Sequence, residues 1–189
     1  QAIIREPQTV VIHDEDLQTA AIAANLSRTV SIYSRSTSSP PIAIGSYIPK
    51  AKAVVTASSA ILPKEALVVF PDGSSAPASL SRIGATLSIY GFADSARLPK
   101  VAAPNLLPKG DLKPGQNALA VGQGGSAVIG IVSKVDDFIH ASLTGVQIGS
   151  AAVNSSGNII GIAIDSTGTF ASADRITALL SATSTPASP

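Results

Sequence analysis

The sequence predicts an all-β protein: two six-stranded antiparallel β-barrels, with an N-terminal helix and a short C-terminal helix. Three observations predict it. Thirteen prolines and fifteen glycines punctuate 189 residues, so the segments between breakers are short. Those segments are rich in Val, Ile, Ser and Thr, and several alternate in polarity as half-buried strands do. Residues 93–116 carry Pro99, Pro104, Pro108 and Pro114 with Gly110 and Gly115. Such a stretch cannot pair regularly, and it divides the strand-like runs into two groups of six. Closing each group into a barrel removes its sheet edges.

The elements follow in chain order. Gln8-Thr9-Val10-Val11-Ile12 is extended in character. Asp14-Glu15-Asp16 suits a helix start, because Asp14 can cap free N–H groups and acids oppose the positive end of the macrodipole. Leu17, Ala20, Ala21, Ala24 and Leu26 then give an apolar face at helical spacing, ending near Ser27. The first six strands are predicted over 29–33, 42–49, 53–57, 66–70, 76–83 and 85–90. Pro71-Asp72-Gly73 supplies a strong turn between the fourth and fifth. The second six are predicted over 117–121, 127–134, 138–142, 151–154, 159–165 and 169–172. A short helix starts at Ala173 or Asp174 and carries Ile176, Leu179 and Leu180. The division that results is an N-terminal extension and helix (1–27), a first barrel (28–96), a linker (97–116), a second barrel with its helix (117–181) and a flexible Ser/Thr/Pro/Ala tail (182–189).

Composition excludes some functions. Hydrophobic residues make up 45% and charged residues 13%, with a net charge of +1. No basic field exists to hold nucleic acid, and no polybasic stretch suits a membrane surface. No apolar run reaches the roughly 18–20 residues needed to span a bilayer. Cysteine is absent, so disulfides and thiolate metal sites are impossible; this does not exclude the outside of a cell. Methionine is also absent and Gln1 is not a natural start. The chain is therefore expected to be part of a longer protein, with a signal or membrane anchor ahead of it.

Five blocks carry a resemblance. Gly45-Ser46-Tyr47-Ile48 leads to Val54-Val55-Thr56-Ala57, and Leu112-Lys113-Pro114-Gly115-Gln116 precedes residues 118–122. Val128-Ile129-Gly130-Ile131-Val132-Ser133 is followed by Phe138-Ile139-His140. The stretch 148–162 then reads Ile-Gly-Ser-Ala-Ala-Val-Asn-Ser-Ser-Gly-Asn-Ile-Ile-Gly-Ile. In order and spacing these blocks, from about Leu26 to Leu180, resemble the trypsin-like serine proteases, most closely their HtrA/Deg branch. The resemblance implies the trypsin-like double barrel.

The chemistry of that family needs a hydroxyl nucleophile, an imidazole base, and a carboxylate to fix the imidazole's tautomer. Carried onto this chain, the resemblance places Ile148 at the nucleophile, Ser59 at the histidine and Thr86 at the aspartate. All three triad positions are degenerate, and no enzyme activity is expected. The oxyanion hole depends on backbone N–H groups in a tight turn; Val146 stands where the family has glycine, and a β-branched residue resists positive φ. A two-residue slip would make Ser150 the nucleophile, with Gly149 before it, but still supplies no base. The expectation is a pseudoprotease that binds or scaffolds a protein or peptide partner, periplasmic, envelope-bound or extracellular, and bacterial. It implies no cofactor and no nucleic acid, and membrane contact only through an anchor outside this chain.

The cleft candidates are Val146, Gln147, Gly149, Ser150, Phe170, Ala171 and Ser172, since strand addition to an edge needs no triad. The alternative for residues 170–172 is a core strand leading into the last helix. Two rivals belong to other classes. One is a residual serine endopeptidase using Ser150. The other is a metal-binding structural domain using His13 and His140, each with carboxylates nearby. Gln123-Gly124-Gly125-Ser126 reads as a hairpin loop rather than a phosphate cradle, and Ser58-Ser59 and Ser155-Ser156 as turn residues.

Overall fold

A computed structural model describes residues 14–59 and 61–182. The extended run at Gln8–Ile12, His13 and the tail from residue 183 lie outside the described residues. Helix α1 spans Asp14–Arg28. Strands β1 (Thr29–Tyr33), β2 (Ala43–Ile48), β3 (Ala53–Ala57), β4 (Glu65–Val69), β5 (Ser75–Ile83) and β6 (Leu87–Gly91) close the first barrel. Strands β7 (Asn117–Val121), β8 (Ala127–Val135), β9 (Ile139–Ala141), β10 (Ala151–Val153), β11 (Ile159–Ala163) and β12 (Thr169–Ser172) close the second. Helix α2 spans Ala173–Ser181. All pairings are antiparallel. Around the first barrel the order is β1-β2-β3-β6-β5-β4, and around the second it is the same order advanced by six, β7-β8-β9-β12-β11-β10.

Local chemistry sets the strand limits. Lys52 takes a left-handed conformation (φ 46°) and closes the β2–β3 turn. β6 starts at Leu87 rather than 85, because Gly84 donates its N–H to the Leu87 carbonyl and turns the chain. β11 stops at Ala163 rather than 165. The Asp165 carboxylate accepts N–H bonds from Thr167 and Thr169 (2.8 and 3.1 Å) and folds those residues into a turn. Those bonds hold its pKa below the usual carboxylate range against the opposing effect of desolvation.

The first barrel is filled by Val30, Ile32, Tyr47, Val54, Val68, Phe70 and Tyr90. Tyr47 meets Phe70 edge-on at 5.3 Å. The second is filled by smaller aliphatic residues, including Ala118, Ala120, Ala152 and Ala163, around Phe170. A third core lies between the barrels and joins Ile48, Val55, Leu87 and Ile89 of the first to Leu119, Val153, Ile162 and Ala171 of the second, with Ile176 of α2 wedged among them. Between β6 and β7 the chain forms no strand. It crosses the junction, with a bridge from Leu106 to Ile159 and a 3-10 turn at Lys109–Asp111.

The face that α1 buries differs from the one its periodicity predicts. Ala21 is buried, but its companions are Asn25 and Arg28, while Leu17 is 42% exposed. The cause is tertiary. α1 lies over β7 and β10, where carbonyls need donors. Asn25 gives its amide to Ala151 O (2.8 Å). Arg28 gives its guanidinium to Ala102 O and Gly157 O (3.2 and 3.4 Å), tying helix, linker and β10–β11 hairpin together. Desolvation lowers the Arg28 pKa.

Candidate functional site

Of the residues singled out from the sequence, the Ser58–Ser59 corner with Thr86 and the Gln147–Ser150 turn lie on the two sides of the barrel junction. On the first-barrel side, β3 ends at Ala57 and the chain turns through Ser58 and Ser59. Ser58 donates its N–H to Thr86 O (2.9 Å) and its hydroxyl to Gly84 O (2.7 Å), and its Oγ lies 2.8 Å from Ser88 Oγ. Ser59 is exposed. Thr86 Oγ1 accepts a bond from Arg175 of α2 (3.3 Å). The corner opens on a depression of about 400 Å³ lined by Ser58, Ser59, Leu62, Leu80, Ile83 and Ser88. Ile83 and neighbouring Ile61 are 75% and 67% exposed, the most exposed large apolar residues among those described. Hydroxyls bonded to one another and to carbonyls offer no base, since none of them accepts a proton near neutral pH.

On the second-barrel side, the turn before β10 is set by backbone. Gly145 and Gly149 take positive φ (73° and 90°), and Val146 does not. A Cβ on Gly149 would run into the Ile44 carbonyl of β2, with Thr56 Oγ1 at 3.0 Å. Thr56 in turn donates its hydroxyl to that same carbonyl (2.6 Å). Only glycine fits both the angle and the space. Three N–H groups of the turn are spent on backbone carbonyls: Gln147 on Val121 O of β7, Gly149 on Ala163 O of β11 and Ser150 on Gln147 O (3.0, 2.8 and 3.1 Å). Ile148 stands out from it, 49% exposed. Ser150 is fully buried, and its single hydroxyl proton is donated to Gln147 O (2.7 Å), with Val121 O also within reach (3.2 Å). Such a hydroxyl cannot reach a substrate carbonyl, and among the described residues no imidazole is bonded to it.

Val146 is buried and bridges Gly122, so its side chain belongs to the second-barrel core. Gln147 is half-buried and reaches a groove of about 470 Å³ between the barrels, lined also by Leu26, Ile44, Val69, Phe70 and Val121. Phe170, Ala171 and Ser172 are buried, at 0%, 0% and 2% exposure. They pair with β11, and Phe170 also with β9. This places them as a core strand feeding α2. His140 lies on β9, its Nε2 3.1 Å from Asp136 Oδ1, and Asp136 is also bound by Lys134 (2.7 Å). The Lys134 bond, then the Phe138 N–H, hold the Asp136 carboxyl far below its ordinary pKa. His13 lies outside the described residues. Among those described, no group of three His, Cys, Asp or Glu is placed to hold a metal ion.

Three participants were not legible in the sequence: Ser88, which completes the hydroxyl pair; Arg175, which reaches Thr86 from α2; and the groove beside Gln147. Each arises from segments far apart in the chain, and none carries a local spacing signal. Comparison with family models and with curated proteins finds no match for this chain.

Proposed function

We propose that the chain is a catalytically inactive relative of the trypsin-like serine proteases, nearest the HtrA/Deg branch, that serves as a protein- or peptide-binding or scaffolding module. The observation that carries the reading is the turn before β10. It presents Ile148 outward at the position the resemblance gives to the nucleophile, and it buries its only serine, Ser150, under two carbonyls. The shared strand order of the two barrels supports the kinship. So does the placement of Ser58–Ser59 and Thr86 at one corner, joined by the Ser58–Thr86 backbone bond.

The groove between Leu26, Phe70, Val121 and Gln147 is the proposed seat of a partner segment. Its lining is uncharged and largely apolar, which suits an extended neutral peptide. The module is proposed to work in a bacterial envelope or outside the cell, carried by a longer, anchored protein. Among the described residues no helix is long and apolar enough to cross a membrane.

Incubation with unfolded casein and a broad serine-reactive probe tests the inactive reading. No turnover and no label are expected. Turnover that disappears on Ser150→Ala would overturn it.

A further inference from the structure

Helix α2 covers the side of the barrel junction next to Thr86. α2 leaves β12 directly and lies against β6 and β11. Its apolar anchor is Ile176, fully buried between Leu87 and Ile89 of the first barrel and Ile162 and Ala171 of the second. Around that anchor the helix is held by polar ties to three separate parts of the molecule. Asp174 accepts the Lys109 N–H from the linker (2.8 Å). Leu179 O accepts Arg82 Nε from β5 (2.9 Å). Of these polar ties, only the one made by Arg175 reaches both barrels. One guanidinium nitrogen donates to Thr86 Oγ1 of the first barrel and the other to Asp137 O of the second, each at 3.3 Å, and the guanidinium carbon lies 4.7 Å from the Phe138 ring centroid.

We infer that Arg175 is a latch that fixes the two barrels to one another, with α2 as the strap it fastens. The guanidinium fork suits this role because its donors diverge in a plane whose face can stack on an aromatic ring, whereas an ammonium is a point donor. When the latch is closed, Ile176 stays between the barrels. When it opens, α2 can lift and expose Leu87, Ile89, Ile162 and Ala171 as an apolar seam.

Hydrogen exchange of the full chain, read by mass spectrometry on Arg175→Met, Arg175→Lys, Thr86→Val and the Arg175→Met/Thr86→Val double variant, tests it. Methionine keeps the stem's bulk and removes the fork. A charge-assisted bond and a stacked cation together give an expected rise of about tenfold or more in exchange for Arg175→Met. The rise should appear together in α2, in residues 84–91 and in residues 136–141, while β4 (Glu65–Val69) stays as in the parent. Arg175→Lys should recover only part of the protection. The double variant should exchange no faster than Arg175→Met, because the bond that Thr86→Val removes is already lost when Arg175 is replaced. A rise confined to α2, equal protection in all variants, or additive effects in the double variant would each overturn the latch. Arg175 is only half-buried, and Thr86→Val alone provides a second readout should Arg175→Met fold poorly.

Discussion

The Gln147–Ser150 turn and the Ser58–Ser59 corner meet at Thr56, yet they are held by different means. The turn is fixed by backbone: a glycine at φ 90° with the Ile44 carbonyl in the place of its Cβ, and three N–H bonds to backbone carbonyls. The corner is fixed by side chains, with Ser58 on Gly84 and Ser88, and with Tyr90 donating its hydroxyl to Pro63 O (2.7 Å). The scaffold accordingly tolerates change at some positions and not at others. A side chain that points outward, as at Ile148 and Ser59, can be exchanged without touching the packing. A glycine on which two barrels rest cannot.

The largest expected effect follows from that contrast. Gly149→Ala should cost about 3 kcal/mol or more, from the strain of a positive φ added to overpacking against β2, read as the midpoint of chemical denaturation. A loss of under about 1 kcal/mol would mean that the turn yields, and the contrast would fail. Tyr90→Phe comes next, at about 1 kcal/mol, since it leaves the Pro63 carbonyl without its donor. Burial pushes the Tyr90 hydroxyl up to about 12. The unfolded chain, titrating near 10, therefore loses its proton first, and stability should fall as pH rises from about 10 to about 12. A pH series of denaturation midpoints on the parent and on Tyr90→Phe checks this, because the variant should lose that part of the alkaline fall. Ser58→Ala should cost about 1 kcal/mol and leave the β10 turn unchanged by amide chemical shift. The smallest effect belongs to Ile148→Ser. At a half-exposed site it should change stability by under about 0.5 kcal/mol. It should also yield no hydrolysis of casein, because a serine with no base is a weak nucleophile.

Strand existence and order were legible because the breakers and β-branched runs are local. The strand limits at Leu87 and Ala163 were not, since they depend on where Gly84 and Asp165 place their hydrogen bonds. The face of α1 was misread for the same reason. Periodicity selects Leu17, while the carbonyls of Ala151, Ala102 and Gly157 select Asn25 and Arg28. At the candidate site the sequence could point to Ile148, Ser59 and Thr86. It could not reveal that Ser150 is sealed, that Ser88 joins Ser58, or that Arg175 reaches Thr86, because each of these depends on distant segments meeting in space.

Mass-spectrometric mapping after treatment with a serine-reactive fluorophosphonate tests whether the junction, as proposed, keeps its packing without a competent nucleophile. No covalent label is expected on Ser58, Ser59 or Ser150 in the folded chain. Stoichiometric labelling of Ser150, abolished by Ser150→Ala together with casein turnover, would contradict it.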